Sequence, residues 1–217
     1  MPTDVTYESD DIAVDLDAPD EHQVAGGARR GLAVLLTAGG AVGLVASFVL
    51  TVEVIRLLED PAYVPSCSFN PVLSCGSVMQ TWQADVLGFA NTLAGIVAFA
   101  VVTTIGVVLL TGAVLPRWVW LGLQSGALVG AAFVHWLIYQ SLYDIGALCP
   151  YCMVVWIVTV PIFWYVTAHA VQAGHIRTSA GVRSFLVRNG GFVLVLWFLA
   201  LTVLILVRFW DYWSSLV

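Results

Sequence analysis

The stretch that decides the fold is LCPYCMVVWIVTVPIFWYVTAHAV, residues 148–171. It contains no Asp, Glu, Lys or Arg, and about 20 apolar residues in a helix are enough to cross the hydrocarbon core of a membrane. The stretch is therefore predicted to be a transmembrane helix. It opens with Cys149-Pro150-Tyr151-Cys152, so two thiols are expected at one end of this span.

Four other stretches are long and apolar enough to span a membrane: 32–55, 86–110, 118–142 and 191–207. Of the 217 residues, 60% are hydrophobic and 10% are charged, whereas soluble domains usually carry about 25% charged residues. The composition therefore predicts an all-α integral membrane protein with five spans. Glycines within the spans, including Gly39, Gly40, Gly122 and Gly126, are predicted to let helix backbones approach closely.

The arginines predict the orientation. With the N-terminus inside, the cytoplasmic segments hold six of the eight arginines, and the outer side holds only Arg56 and Arg208. Cytoplasmic loops of membrane proteins carry an excess of Lys and Arg, so this orientation in the plasma membrane is the expected one. It puts the C-terminus and all four cysteines on the extracytoplasmic side.

The remaining segments complete the predicted organisation. Residues 1–30 hold eight of the fourteen carboxylates and are predicted to form a disordered acidic cytoplasmic tail. Residues 31–171 form the predicted four-helix bundle, which includes an outer loop at 57–85 with a short helix near 76–83. Residues 172–190 form a cytoplasmic loop, and residues 191–217 form the fifth span with a short outer tail. The chain has no Lys and its arginines are scattered, so nothing indicates a nucleic-acid partner.

The four cysteines form two groups, Cys67 with Cys75 in the outer loop and Cys149 with Cys152 at the head of the fourth span. Four cysteines allow three pairings, so two structural disulfides or a tetrahedral zinc site are alternatives. Cys-x-x-Cys, however, is the spacing of thiol–disulfide oxidoreductases. With Pro150 at the first helical position, Cys149 becomes the cap and Cys152 lies in the first turn. There the helix dipole is expected to activate Cys152. A dithiol at the bilayer edge needs an electron acceptor in the bilayer, and a lipid-soluble quinone is the obvious one.

The residues around the cysteines resemble the vitamin K epoxide reductase family, in its bacterial form without a fused thioredoxin domain. The resemblance covers roughly residues 51–164. It is carried by the spacing of Cys67 and Cys75, by Cys75-Gly-Ser-Val, by Leu87-Gly-Phe-Ala-Asn91, and by Leu142-Tyr-Asp-Ile-Gly-Ala-Leu-Cys-Pro-Tyr-Cys152.

This resemblance implies a four-helix bundle around a quinone, menaquinone or ubiquinone, plus an added fifth helix. Cys149 and Cys152 would be the quinone-side centre, with Cys152 nearest the ring, and Cys67 and Cys75 would be the shuttle pair. An extracytoplasmic thioredoxin-fold partner of the DsbA type would reduce the shuttle pair. Electrons would then pass through a disulfide between Cys75 and Cys149, supporting disulfide bond formation in other proteins.

The resemblance also implies a set of quinone contacts. Asn91 matches an asparagine that hydrogen-bonds a quinone carbonyl. Thr81 stands where the family commonly has serine, Met79 where an aromatic residue can occur, and Trp156 where animal relatives have a quinone-contacting tyrosine.

Other polar residues in the spans are given structural interpretations. His135 is expected to be hydrogen-bonded within the bundle, and Glu53 and Arg56, spaced i,i+3, are expected to pair. The competing function is a non-catalytic multi-span membrane protein held together by structural disulfides.

Overall fold

The computed structural model describes residues 21–176 and 178–214. Their secondary structure consists of helices, with one isolated β-bridge between Leu73 and Leu148. The α-helices are α1 (Glu21–Glu59), α2 (Cys75–Met79), α3 (Asn91–Leu110), α4 (Arg117–Gln140), α5 (Pro150–Gln172), α6 (Ala180–Arg188), α7 (Gly190–Arg208) and α8 (Trp210–Ser214). A 3₁₀ turn at Trp82–Ala84 follows α2, and a π-helical turn at Ser141–Ile145 extends α4.

Five of these helical segments are long and apolar enough to cross a membrane: Arg30–Glu59, Asn91–Leu110, Arg117–Ile145, Pro150–Gln172 and Gly190–Arg208. The prediction of an all-α protein with five membrane spans is therefore confirmed. The chain is a multi-pass membrane protein.

Some predicted boundaries differ from the structure. The second span begins at Asn91 rather than at residue 86, because the chain turns at Gly88, whose φ of 78° lies in the left-handed region that favours glycine. The predicted short outer helix is two elements, α2 and the 3₁₀ turn. The predicted cytoplasmic loop at 172–190 contains α6. Most of the predicted acidic tail lies outside the described residues, but its end, from Glu21, is helical.

The bundle is organised around α1 and α5. Helix α1 packs along α3 and α5, and α4 packs along α5, whereas α3 and α4 make little direct contact with each other. One apolar core, which includes Leu36, Phe99 and Val166, joins these helices at the end of the bundle away from the cysteines. The packing leaves a cleft between α3 and α4.

Glycines make the close approach of α1 and α3 possible. A Cβ atom at Gly106 would lie 2.5 Å from the backbone N of Thr37, and one at Gly40 would lie 2.9 Å from the backbone N of Thr103. The prediction of close packing is wrong for Gly122 and Gly126, where a Cβ would meet nothing within 4 Å. Both glycines line the cleft beside α4 instead of a helix–helix contact.

Helix α7 is attached to the bundle by polar contacts. Trp197 Nε1 donates a hydrogen bond of 3.0 Å to Nε2 of His135, and His135 Nδ1 lies 2.7 Å from the carbonyl of Ala131. An indole can only donate, so Nε2 accepts and Nδ1 carries the proton that bonds Ala131. Arg208 Nε also donates to the carbonyl of Leu142 at 2.8 Å. The prediction that His135 is a hydrogen-bonded bundle residue is confirmed.

Candidate active site

The predicted shuttle pair is a disulfide. Cys67 and Cys75 are bonded to each other, and both are almost fully buried. Cys75 is the first residue of α2, whose N-cap is Ser74, and the Ser74 hydroxyl accepts the backbone N–H of Ser77. The cap fixes the direction in which α2 leaves the loop. It thereby fixes the position of the Cys75 sulfur.

The backbone brings this disulfide to the second cysteine pair. The Leu148 N–H donates to the carbonyl of Val72 at 2.7 Å, and the Ser74 N–H donates to the carbonyl of Leu148 at 2.9 Å. These two hydrogen bonds hold the residue before Cys149 beside the residues before Cys75. Cys75 Sγ and Cys149 Sγ are 3.3 Å apart, and both residues are buried. Cys149 and Cys152 are free thiols.

The start of α5 surrounds the Cys149 sulfur with hydrogen-bond donors. Cys149 is the N-cap and Pro150 follows as the first helical residue, as predicted, and the Cys152 N–H donates to Cys149 Sγ at 3.3 Å. Cys149 precedes the span Pro150–Gln172. The pKa of the Cys149 thiol is lowered, mainly by the hydrogen bond from the Cys152 side chain. Burial raises this pKa, but hydrogen bonds from the backbone N–H groups of Cys152 and Tyr151 lower it, so the net shift is downward. The expectation that the helix terminus activates Cys152 is therefore wrong, because the cap position gives its donors to Cys149.

A cavity of about 1030 Å³ adjoins both free thiols. It lies in the cleft between α3 and α4, and its wall is predominantly apolar. Among the predicted site residues, the wall includes Cys149, Cys152, Asn91, Trp156 and Met79. Trp156 is 1% exposed and lies one turn after Cys152 on α5. A cavity of this volume is large enough for a drug-sized ligand.

Asn91 presents an unpaired polar atom at this cavity. Its Nδ2 group donates to the backbone carbonyl of Gln83 at 2.7 Å, while its Oδ1 atom is buried and has no hydrogen-bond partner among the described residues. A buried polar atom without a partner is costly, so a ligand that bonds it is favoured.

Thr81 is not brought to the cavity. Its hydroxyl donates to the carbonyl of Val78 at 2.7 Å, and Thr81 is not among the residues that line the cavity wall. It closes the last turn of α2 rather than facing a ligand.

The profile of the Vitamin K epoxide reductase family matches residues 34–167. The chain belongs to this family. The match contains α3, α4, the outer loop and all four cysteines, so it covers the whole site described above. A search of the curated proteins gave no match. Membership of the vitamin K epoxide reductase family makes the chain a membrane thiol–disulfide oxidoreductase.

The zinc alternative finds no support in the part of the chain that the structure describes. No group of three or more His, Cys, Asp or Glu residues there could hold a metal ion. Because Cys67 and Cys75 are bonded to each other, two of the four thiolates that zinc would need are already used.

The loop before Cys67 is anchored on a buried carboxylate. Glu53, 4% exposed, accepts hydrogen bonds from the Tyr63 hydroxyl at 2.9 Å, from Ser66 Oγ at 2.7 Å and from the Ser66 N–H at 3.3 Å. The predicted direct pairing of Glu53 with Arg56 does not occur, because Arg56 instead donates to the Tyr63 hydroxyl at 3.3 Å. The carboxylate holds the residue that precedes Cys67.

Sequence reasoning missed Gln83 as a member of the site. Gln83 is 2% exposed, lines the cavity and contacts both Asn91 and Asp144. A glutamine in a predicted outer loop carries no signal of burial. Only the 3₁₀ turn that folds it inward reveals its place.

Proposed function

We propose that this protein oxidises a dithiol partner outside the membrane and passes the electrons to a membrane quinone, menaquinone or ubiquinone. The observation that carries the proposal is the 3.3 Å separation of Cys75 Sγ and Cys149 Sγ, which joins the shuttle disulfide to the thiols at the cavity. The partner would be a thioredoxin-fold protein of the DsbA type. Its reoxidation would support disulfide bond formation in other proteins.

The first transfer takes place between the protein partner and the shuttle pair. The partner's dithiol reduces the disulfide between Cys67 and Cys75, and the partner leaves as a disulfide. Each exchange requires a thiolate that attacks a disulfide sulfur and forms a mixed disulfide.

The second transfer takes place within the protein. Cys75 attacks Cys149 in the disulfide between Cys149 and Cys152, forms a bond to Cys149 and releases Cys152 as a thiol. Cys67 then attacks Cys75, reforms the shuttle disulfide and releases Cys149. A leaving thiol with a lower pKa leaves faster, so the donors around Cys149 Sγ favour this last step. The redox state in the structure, with the shuttle pair oxidised and Cys149 and Cys152 reduced, matches the end of this sequence.

The cavity fits a quinone. Its apolar wall adjoins the Cys149 and Cys152 thiols and runs along the cleft between α3 and α4, where an isoprenoid tail could lie. A bound quinone accepts two electrons and two protons. On this proposal Asn91 binds its head group, Trp156 and Met79 form part of the wall, and Cys149 and Cys152 lose the two electrons as their disulfide reforms.

The proposed orientation puts the shuttle pair outside the plasma membrane. Arg56 and Arg208 lie at the cysteine-bearing end of the bundle, where they contact Tyr63 and the carbonyl of Leu142. Arg117 lies at the opposite end, where it donates to the carbonyl of His175. The excess of arginines at the opposite end supports a cytoplasmic assignment for that end.

Substitutions of single cysteines test the electron path. Purified Cys149→Ala and Cys152→Ala variants should each fail to reduce quinone with a reduced thioredoxin-fold partner. Cys67→Ala should stop turnover with the protein partner but retain some turnover with small dithiols such as dithiothreitol. Normal quinone reduction by Cys152→Ala would refute the mechanism.

A Cys75→Ser variant expressed in cells identifies the partner. Cys67 then lacks its resolving thiol, so a mixed disulfide with the partner should accumulate and be recovered for mass spectrometry. For the orientation, an impermeant thiol reagent applied to intact cells after reduction should label cysteines. Labelling only after lysis would invert the proposed topology.

The non-catalytic alternative makes a different prediction. Structural disulfides typically have potentials below about −300 mV, so a redox titration in which both cysteine pairs resist reduction to that potential would favour it. The free thiols of Cys149 and Cys152 in the structure support the redox-active interpretation.

A further inference from the structure

Gln83 is a buried cavity residue that the mechanism above does not use. It lies in the 3₁₀ turn between α2 and α3, is 2% exposed and lines the cavity. Its Oε1 atom is buried and has no hydrogen-bond partner within the described ranges, 21–176 and 178–214.

The other polar groups of Gln83 have partners that fix its orientation. Nε2 donates to Oδ2 of Asp144, and the backbone carbonyl accepts from Asn91 Nδ2 at 2.7 Å. An ionised carboxylate can only accept hydrogen bonds, so Asp144 holds the amide nitrogen toward itself. Asp144 is exposed and does not line the cavity. Oε1 is the side-chain atom of Gln83 that has no hydrogen-bond partner among the described residues, and it offers a ligand of the cavity an acceptor.

Asn91 shows the same pattern, because its Nδ2 group has a partner and its Oδ1 atom has none. Two cavity residues thus leave acceptors unpaired. A quinone head group carries carbonyl oxygens, which only accept hydrogen bonds. A hydroquinone carries two hydroxyl groups, which can donate them. Burying an unpaired acceptor costs free energy, and a ligand recovers it only by donating a hydrogen bond to that acceptor. The hydroquinone can do so and the quinone cannot.

We propose that Gln83 is a head-group ligand that distinguishes the two redox forms, with its Oε1 accepting a hydrogen bond from a hydroxyl of the hydroquinone. Asp144 is a positioning residue that keeps Oε1 available for the ligand. The inference rests on the proposed quinone chemistry. In that reaction the Cys149 and Cys152 thiols give up two electrons and two protons as their disulfide forms, and the quinone takes up both to become the hydroquinone.

Preference for the hydroquinone helps the thiols to be oxidised. Tighter binding of the reduced form raises the potential of the bound couple, by about 30 mV for each tenfold preference in a two-electron reaction. Gln83 and Asp144 would in this way favour oxidation of Cys149 and Cys152 without contacting either sulfur.

The test compares the dissociation constant of a quinone with that of its hydroquinone. Both constants are measured by anaerobic calorimetry on the full chain in detergent. The probes are decylubiquinone with its hydroquinone and menadione with its hydroquinone. A Cys149→Ser, Cys152→Ser background prevents turnover. Gln83→Leu should weaken hydroquinone binding by about tenfold and change quinone binding by less than about twofold. Asp144→Asn should give a smaller loss in the same direction, and the matched control Gln80→Leu, at an exposed glutamine three residues earlier, should leave the ratio unchanged.

The outcomes separate the two proposals. If the background protein binds neither form of either probe, the proposed quinone chemistry fails, and the role of Gln83 fails with it. If both forms bind but neither Gln83→Leu nor Asp144→Asn changes their ratio, only the role of Gln83 is overturned. Equal weakening of both forms by Gln83→Leu also overturns it, because the Gln83 side chain would then not distinguish the two redox forms.

Discussion

Glu53 should control the mobility of the loop that carries Cys67 and Cys75. Its carboxylate accepts hydrogen bonds from Tyr63 and, twice, from Ser66, the residue before Cys67. In Glu53→Gln the amide oxygen can accept from the Tyr63 hydroxyl and the Ser66 N–H, whereas the amide nitrogen can only donate, so Ser66 Oγ becomes the acceptor of the third contact and none of the three involves a charge. Hydrogen bonds to a charged group contribute about 1.5–3 kcal/mol and neutral ones about 0.5–1.5 kcal/mol. The loss is thus about 1 kcal/mol for each of the two shorter bonds, or roughly 2–3 kcal/mol in all.

Hydrogen exchange at the Ser66 amide measures this loss directly. Since 1.4 kcal/mol is a factor of ten, Glu53→Gln should speed exchange in peptides covering residues 60–68 by roughly 30- to 100-fold, and Glu53→Ala should speed it more. Reduction of the Cys67–Cys75 disulfide by a phosphine should accelerate in the same order. Arg56→Gln is the matched control, because Arg56 is exposed and contacts Tyr63 but not Ser66. Unchanged Ser66 exchange in Glu53→Ala, or an equal effect of Arg56→Gln, would refute the reasoning.

Three further predictions concern the helices and the thiols. Gly106→Ala should lower the midpoint of thermal unfolding in detergent, because an added Cβ would meet backbone on α1 and overpacking costs about 1–3 kcal/mol. The control Gly122→Ala places its Cβ in open space and should not lower the midpoint. Equal destabilisation by the two variants would contradict the packing. In Cys152→Ala the loss of the side-chain hydrogen bond should raise the pKa of Cys149, so thiolate absorbance at 240 nm should develop at higher pH than in the wild type; a midpoint at the same or lower pH would show that other donors dominate. Trp197→Phe should weaken the attachment of α7 to the bundle by about 1 kcal/mol, because the indole hydrogen bond is lost. Quinone reduction should be retained. Loss of quinone reduction in a folded variant would show that the fifth span takes part in catalysis.

Local signals in the sequence were sufficient for much of this structure. Each span is a continuous apolar run, and hydrogen bonding within a helix depends only on neighbours in the chain, so five helices followed from composition. Pro150 after Cys149 predicted the start of α5 because the proline ring fixes its own backbone angle. The wrong expectation concerned which sulfur accepts the backbone hydrogen bond at the start of α5. A cap residue accepts the N–H of the third helical residue, and that rule assigns the bond to Cys149 rather than to Cys152.

Features that depend on distant parts of the chain could not be predicted in the same way. The meeting of Cys75 and Cys149, separated by 74 residues, came only from the family resemblance, because no local pattern encodes it. Gly122 and Gly126 of α4 lie within an apolar run just as Gly39 and Gly40 of α1 do, yet of these four only Gly39 and Gly40 face another helix closely. The burial of Gln83 likewise depends on how the 3₁₀ turn packs against Asp144.

The bridge between residues 72–74 and Leu148 has a consequence for how such a protein can evolve. Its two hydrogen bonds use only main-chain groups, whose geometry is the same whichever side chain stands there. Substitutions at Val72, Leu73 and Leu148 that keep an apolar residue can therefore accumulate over many generations while the two sulfurs stay aligned. An inserted or deleted residue between the bridge and either cysteine would shift that alignment at once, so selection should tolerate changes of residue type here and remove changes of length.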